Sequence, residues 1–258
     1  MVTGVQTCAL PILLGLYYIT KLRKGAKGEG LTFYGPEEAL IAYNEGKVDI
    51  HAIINVVVKD LDKDGNIVDV MMKETSVGRV IVNEIVPAEV GYLNTIISKK
   101  SLRDIISDVI KAVGVARACE FLDGIKNLGY HMAFKGGLSF NLGDIIIPKE
   151  KEELVKRGNE EVEQIMMNYN MGFITDNERY NQVIDTWTHV NSDLSDILYK
   201  TIKNDDQGFN SVFMMLDSGA RGSKEQIRQL SGMRGLMAKP QKAGAEGAQI
   251  IENPILSN

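Results

Sequence analysis

Residues with β-branched side chains are concentrated early in the chain, and they predict a β-rich N-terminal part over residues 13–95. Two such runs occupy 53–59 and 67–72. The polar segment between them, 60–66, contains an Asp-Gly pair, which favours a β-hairpin. Residues 36–45 have helical spacing instead, with a proline in the first turn and a glycine after the end.

The middle of the chain has apolar residues at the three- and four-residue spacing of α-helices. In residues 99–142, one apolar stripe ends at Gly114, a second helical pattern follows, and a glycine pair at 136–137 interrupts it. Ser101 and Asp104 have the spacing of an N-cap and the third residue of the first helix. The sequence therefore predicts a helical pair in this region.

A two-helix hairpin over residues 148–203 is the clearest structural signal. Pro148 opens its first helix, a turn lies at 170–172, and Thr175 and Glu178 have capping-box spacing for the second helix. Apolar residues then recur at intervals of three and four at Tyr180, Val183, Ile184, Trp187, Val190, Leu194, Ile197 and Leu198. This spacing predicts an antiparallel two-helix coiled coil, and its charged outer faces indicate that it projects into solvent.

The segment 217–240 is rich in glycine and arginine and lacks an ordinary core pattern, so we expect it to be irregular. Residues 221–242 contain six basic residues and one acidic residue, although the whole chain has a net charge of −5. Guanidinium groups provide forked donors that suit phosphate oxygens. The segment is therefore predicted to be cationic and to face an anion. Together with the strands and helices before it, it predicts an α+β fold for the chain.

Composition limits the class of protein. With 258 residues, 44% of them hydrophobic, the chain can form one or two domains with a core. Its net negative charge does not fit a basic nucleic-acid coat. Cys8 and Cys119 lack metal-ligand spacing and fit a reducing cytoplasm. The longest apolar run, 8–19, is too short to span a bilayer, so no membrane location is expected.

Candidate ligand-binding groups are few. The sequence has no zinc-protease, P-loop, nucleophile-elbow or paired-cysteine motif, which disfavours a free-standing enzyme. His51, His131 and His189 are far apart and are expected to be packed or on the surface. Three glycines in 25–30 can cradle a phosphate, but an ordinary loop is favoured. Segment 60–71 mimics a calcium loop without its final glutamate, so a hairpin turn is favoured there.

Several blocks of sequence resemble the family of bacterial RNA polymerase β′ subunits, in the order in which that family has them. They are LGLYYIT at 14–20, GPEEA at 35–39, SVGR at 76–79, Ile147-Pro148, ERYNQVID at 178–185, and DSGARGS with QIRQLSGMRGLMAKP in 217–240. The resemblance covers residues 13–258. Residues 1–12 do not share it, and we expect them to be a non-native leader before an internal fragment of a longer subunit.

The resemblance implies a pore-like α+β region at 13–142 and a funnel-like region at 143–258. The second region would contain the rim-helix hairpin (148–203) and a bracing loop (217–240). Together they would surround the secondary channel of a DNA-directed RNA polymerase, a nucleotidyltransferase that carries out DNA-templated RNA synthesis. The aspartates that hold Mg²⁺ in this family lie in an NADFDGD motif that is absent here, so no catalytic or metal-binding residue is expected and the fragment alone should be inactive.

The implied partners are the α, β, ω and σ subunits, template DNA, RNA, nucleoside triphosphates and transcript-cleavage factors, in the cytoplasm. By resemblance, Arg221 contacts the triphosphate of an incoming nucleotide. The bracing-loop residues near the active site are Arg228, Gln229, Arg234 and Met237, and the regulator-docking residues on the rim helices are Asn181 and Gln182. Gln182 stands where the family often has lysine, which removes a phosphate-binding charge. An alternative is a non-catalytic coiled-coil docking module that binds a protein through 148–203.

Overall fold

A computed structural model describes residues 3–61, 67–239 and 250–256. The fold is α+β, as predicted, and the chain divides into two compact units. The first unit comprises residues Met1–Ser139 and Phe213–Arg221, and the second comprises Phe140–Val212 and Gly222–Asn258.

The first unit contains a three-stranded sheet with the order β1 (Thr32–Phe33), β2 (Ile53–Leu61) and β3 (Ile67–Ser76). Strand β1 is parallel to β2, whereas β2 and β3 are antiparallel, with Ile53 opposite Ser76. The predicted pairing of these two runs is therefore confirmed. The turn between them, and with it the calcium-loop alternative, falls at 62–66, outside the described residues.

Three helices accompany this sheet: α1 (Thr3–Thr20), α2 (Pro36–Asn44) and α3 (Val77–Asn83). The helix α2 begins at a proline, as predicted, because proline has a suitable φ and loses no helical hydrogen bond at that position. The N-terminal part is therefore only loosely β-rich. The apolar segment at its start forms a helix, with Leu16 and Ile19 fully buried in the core.

The predicted helical pair is one long element, α4 (Lys99–Lys135), broken at Gly114. That glycine has φ 76° and ψ 175°, a conformation that residues with a Cβ rarely adopt. The predicted cap is wrong by one turn. Ser98 is the N-cap and accepts from the backbone N–H of Ser101, while the Ser101 hydroxyl accepts from the N–H of Ser98 at 2.7 Å. Ser101 is thus the third helical residue, because a serine there closes the reciprocal pair.

The second unit is built on a helical hairpin of α5 (Lys151–Asn170) and α6 (Asp176–Asn204). The predicted capping box is confirmed, because Thr175 accepts from the N–H of Glu178 and the Glu178 carboxylate accepts from the N–H of Thr175 at 2.8 Å. The hydrogen bonds that this carboxylate accepts from the N–H and the hydroxyl of Thr175 hold the pKa of Glu178 below its usual value. Five of the six buried residues of α6 belong to the predicted seam, and the sixth is Ile202. The seam residues Tyr180, Ile184 and Ile197 are half-buried, and the buried ones are Val183, Trp187, Val190, Leu194 and Leu198.

The glycine- and arginine-rich segment is more regular than expected. After α7 (Ser211–Asp217), it forms α8 (Lys224–Ser231) and β4 (Gly235–Ala238), and β4 pairs antiparallel with β5 (Ile250–Ile255). Ser223 and Gln226 form a capping box, and Ile227 and Met233 are buried. The capping box and the buried apolar side chains therefore stabilise a helix in spite of the conformational freedom of the glycines. The predicted strand at 250–251 is confirmed, and the predicted flexible connection at 241–249 lies outside the described residues.

Candidate functional site

A pocket of about 530 Å³ in the first unit includes Arg221. One wall comes from α1, a second from the first two turns of α4, and a third from the loop that follows α7. Its lining residues are Leu10, Ile12, Leu13, Lys99, Leu102, Arg103, Ile106, Gly219, Ala220 and Arg221. The pocket thus combines an apolar surface with cationic side chains.

The cations of this pocket are Lys99, Arg103 and Arg221, and all three residues are exposed. Within the described part of the chain, none of their side chains makes an ion pair or hydrogen bond. None of the described residues that line the pocket is acidic. Since nearby positive charges without counter-ions repel one another, this arrangement favours an anion of several charges. The sequence pointed only to Arg221, because Lys99 and Arg103 lie far away along the chain.

The loop that carries Arg221 packs closely against the start of α4. Gly219 has φ 73°, and a Cβ added there would lie 3.1 Å from the Cβ of Lys99. The backbone N–H of Lys99 donates to the carbonyl of Ser218 at 2.8 Å. The left-handed turn favours a glycine, and a Cβ there would also push the Lys99 side chain aside by a few tenths of an ångström.

The predicted bracing residues belong to the second unit and differ in their surroundings. Arg228 is buried, and its guanidinium donates to the Glu225 carboxylate and to the side-chain oxygen of Asn191. It therefore joins α8 to α6 within the unit. Gln229 and Arg234 are exposed, and the half-buried Met237 lies opposite Ile251 in the small sheet. Of the four predicted bracing residues, only Gln229 and Arg234 are therefore exposed.

Asn181 and Gln182 are exposed in the second turn of α6. The more constrained residue beside them is Arg179, which the sequence did not single out. It pairs with Asp176 at 2.8 Å and with Glu252 at 2.5 Å, and these hydrogen bonds raise the pKa of Arg179 above its usual range. The same contact lowers the pKa of the Glu252 carboxyl.

Arg179 thereby ties the start of α6 to β5. Tyr180 adds to this connection, because its hydroxyl donates to the carbonyl of Ile250 at 3.0 Å. Neither contact could be predicted from local sequence patterns, since the partners are about seventy residues apart.

The tip of the hairpin displays an apolar surface that includes Met166, Met167, Tyr169, Met171 and Phe173. Phe173 is 75% exposed and Met171 is 67% exposed. A cluster of large apolar side chains at the end of a solvated hairpin is typical of a protein-binding site.

The remaining candidate groups have structural roles or lie on the surface. In the glycine cluster, the N–H of Gly25 donates to the carboxylate of Glu29 at 2.6 Å, which fits the favoured ordinary loop. His51 is packed, with its Nδ1 3.0 Å from the carbonyl of Lys21, and burial lowers its pKa. His131 and His189 are exposed, so the histidine prediction is confirmed.

The described residues contain neither a metal-binding group nor a membrane-spanning helix. No three of their histidine, cysteine, aspartate and glutamate side chains are grouped so as to hold a metal ion. No helix among them has the length and apolar character needed to cross a membrane.

Residues 11–145 match the family described as RNA polymerase Rpb1, domain 3, and residues 174–258 match RNA polymerase Rpb1, domain 4. The chain belongs to the RNA polymerase Rpb1 family. The pocket and α4 fall mainly in the domain 3 match, whereas α6 and the segment that follows it fall in the domain 4 match. Several curated relatives confirm the resemblance to β′ subunits.

The chain is 97% identical over 250 residues to the DNA-directed RNA polymerase subunit beta′ of Phocaeicola vulgatus. It is 86% identical over 247 residues to that of Bacteroides fragilis strain YCH46 and 54% identical over 252 residues to that of Flavobacterium johnsoniae. These alignments cover 96% to 97% of the chain but only 17% to 18% of the relatives.

Proposed function

We propose that the chain acts as part of a bacterial RNA polymerase β′ subunit in DNA-templated RNA synthesis. In this proposal its first unit lines the secondary channel, where Arg221 contacts the triphosphate of an incoming nucleotide. The observation that carries the proposal is the pocket of unpaired cations around Arg221.

The chemistry of the pocket fits a nucleoside triphosphate. A triphosphate carries several negative charges, and guanidinium groups bind its oxygens through paired donors. The apolar wall, to which Leu102 and Ile106 contribute, offers contact to a base without a polar group to distinguish one base from another. Such a surface suits a passage that must admit all four nucleotides.

The rest of the enzyme would come from outside this chain. The family resemblance assigns Mg²⁺ to an aspartate motif that this sequence lacks, and the described residues offer no carboxylate cluster to hold it. We therefore assign no chemical step to this chain alone. The proposed setting is the cytoplasm, with α, β, ω and σ subunits, template DNA and RNA as partners.

The proposal predicts that Arg103→Ala in the assembled enzyme raises the apparent KM for nucleoside triphosphates about two- to fivefold, the size of one exposed charge contact. The increase should shrink as salt is added, because salt screens exposed charges. Steady-state RNA extension over a range of nucleotide and KCl concentrations measures both effects.

Lys100→Ala is the matched control for Arg103→Ala, since Lys100 is exposed on the same helix but does not line the pocket. We expect it to leave the apparent KM unchanged. If neither Arg103→Ala nor a substitution of Arg221 alters the apparent KM, the pocket does not bind the nucleotide.

We also propose that the hairpin tip docks a transcript-cleavage factor, with Asn181 and Gln182 on the flank of the contact surface. The exposed apolar tip supports this role. Phe173→Ala should weaken binding of such a factor to the assembled enzyme about 5- to 10-fold, as expected for an apolar anchor. Fluorescence anisotropy with a labelled factor measures the Kd.

Binding measurements on the tip also distinguish this role from the alternative of a free-standing docking module. Thr188→Ala, at an exposed position on α6 away from the tip, is the control and should leave the Kd unchanged. Equal Kd values for Phe173→Ala and the unsubstituted enzyme would rule out docking through the apolar tip. Binding by the hairpin alone as tight as by the whole enzyme would favour the free-standing module.

The bracing loop is given a narrower role than its sequence implied. Because Arg228 is engaged inside the second unit, we propose that it fixes the position of α8. The exposed Gln229 and Arg234 then remain for contact with nucleic acid or with other parts of the enzyme near its active site, and Met237 supports the strand beside them.

A further inference from the structure

The guanidinium of Arg221 has no partner among the described residues, so its position depends on the backbone that carries it. That backbone is a short loop after α7, with the N–H of Arg221 3.4 Å from the carbonyl of Met215. A bond this long holds the loop weakly. Other contacts must therefore fix the direction in which Arg221 points.

One of those contacts is a hydrogen bond between two side chains 200 positions apart. The hydroxyl of Tyr17, in α1, donates to Oδ2 of Asp217 at 2.7 Å. Asp217 is the last residue of α7, where a negative charge is unfavourable because the helix dipole is negative at that end. The hydrogen bond from Tyr17 compensates for this unfavourable position and holds the start of the loop on α1.

The donor itself is held rigidly. Tyr17 is only 2% exposed, and the ammonium of Lys21 lies 5.4 Å from its ring centroid and 5.0 Å from that of Phe213. Cation–π contacts of this kind fix the rings on both sides of the lysine. The Tyr17 hydroxyl therefore presents a fixed point to which Asp217 can attach.

The rest of the loop transmits this position to Arg221. Ser218 is fully buried, its hydroxyl donates to the carbonyl of Met215 at 3.1 Å, and it accepts from the N–H of Ala220 at 3.3 Å. The N–H of Lys99 also donates to the Ser218 carbonyl. These hydrogen bonds fix the backbone of the three residues between Asp217 and Arg221. We propose that Tyr17 and Asp217 are a positioning pair, whose hydrogen bond directs Arg221 toward the pocket.

This inference rests on the proposed function, in which Arg221 contacts a triphosphate. A fixed loop lowers the conformational entropy that nucleotide binding must remove. Loss of the hydrogen bond should therefore weaken nucleotide binding without changing the chemistry. We expect Tyr17→Phe in the assembled enzyme to raise the apparent KM about 3- to 10-fold, the size of one net hydrogen bond, with little change in kcat.

Two further variants test the pair. Asp217→Ala should match Tyr17→Phe, whereas Asp217→Asn keeps an acceptor oxygen and should restore most of the affinity. Tyr34→Phe is the control, because Tyr34 is 87% exposed, and it should leave both constants unchanged. These comparisons use steady-state RNA extension by the assembled enzyme, with its thermal unfolding followed in parallel.

The double substitution with Arg221→Ala separates the two ideas. If the pair acts by positioning Arg221, adding Tyr17→Phe to Arg221→Ala should cause no further increase in KM. An equal increase in both backgrounds, or a fall in kcat with a matching loss of stability, would overturn the positioning role. If Arg221→Ala raises the KM but Tyr17→Phe does not, the inference fails and the proposed function stands. If Arg221→Ala itself has no effect, the proposed function fails.

Discussion

Arg221→Ala in the assembled polymerase is expected to raise the apparent KM for nucleoside triphosphates about 10- to 100-fold, the size of a lost charge-assisted hydrogen bond. The physical reason is that Arg221 is an exposed cation on the glycine loop of a pocket whose described lining residues include no carboxylate. Its fork can bind two phosphate oxygens at once. RNA extension should thus be slow at low nucleotide concentration and recover as the concentration rises.

Arg221→Lys is the informative companion variant. It keeps the charge but removes the fork, so its apparent KM should lie between those of Arg221→Ala and the unsubstituted enzyme. Lys100→Ala again serves as the control. An apparent KM that stays constant in Arg221→Ala would contradict the proposed triphosphate contact, and equal values for the two Arg221 variants would show that charge alone has no role.

Trp187→Ala should lower the free energy of unfolding of the hairpin by about 3–5 kcal/mol, the usual cost of truncating a large buried side chain. Trp187 is only 3% exposed and lies in the core of the second unit with Leu154, Val183 and Val190. The packing around it is close, because a Cβ added to Gly158 would lie 3.2 Å from its ring. Urea denaturation followed by far-ultraviolet circular dichroism measures the change.

Thr188→Ala is the control for Trp187→Ala, since it changes an exposed neighbour on the same helix and should alter stability by less than about 0.5 kcal/mol. Trp187→Phe keeps an aromatic ring and should cost less than the alanine variant. Similar midpoints for Trp187→Ala and Thr188→Ala would show that the tryptophan does not stabilise the hairpin.

The sequence predicted the elements whose signals are local. The periodic seam of α6, the Thr175–Glu178 capping box and the break at Gly114 each depend on residues within a few positions of one another. The same local reasoning placed the cap of α4 one turn too late, because Ser98 and Ser101 are both suitable residues. It also missed α8, because the glycines of this segment indicated an irregular loop although a short capped helix lies among them.

The candidate site could be predicted only in part, because its members are distant along the chain. Arg221 was expected from the glycine- and arginine-rich segment and the family resemblance, but nothing local connects it with Arg103, over a hundred residues earlier. Tyr17 and Asp217 meet across 200 positions. Such contacts depend on how helices pack, and side-chain spacing along one helix gives no information about them.

The SVGR block at 76–79 leaves no room for a larger residue at its glycine. A methyl group on Gly78 would lie 1.8 Å from the carbonyl oxygen of Ile19, so two polypeptide backbones touch there and even alanine would force them apart. The next side chain, Arg79, is buried and donates from Nε to the carbonyl of Thr20 at 3.0 Å, where α1 ends. Gly78 thus allows the close backbone approach of α3 to α1, and Arg79 satisfies the carbonyl at the end of α1. This short stretch therefore fixes the packing of α3 against the end of α1. Selection for that steric fit would preserve it even in a relative whose catalytic residues had changed.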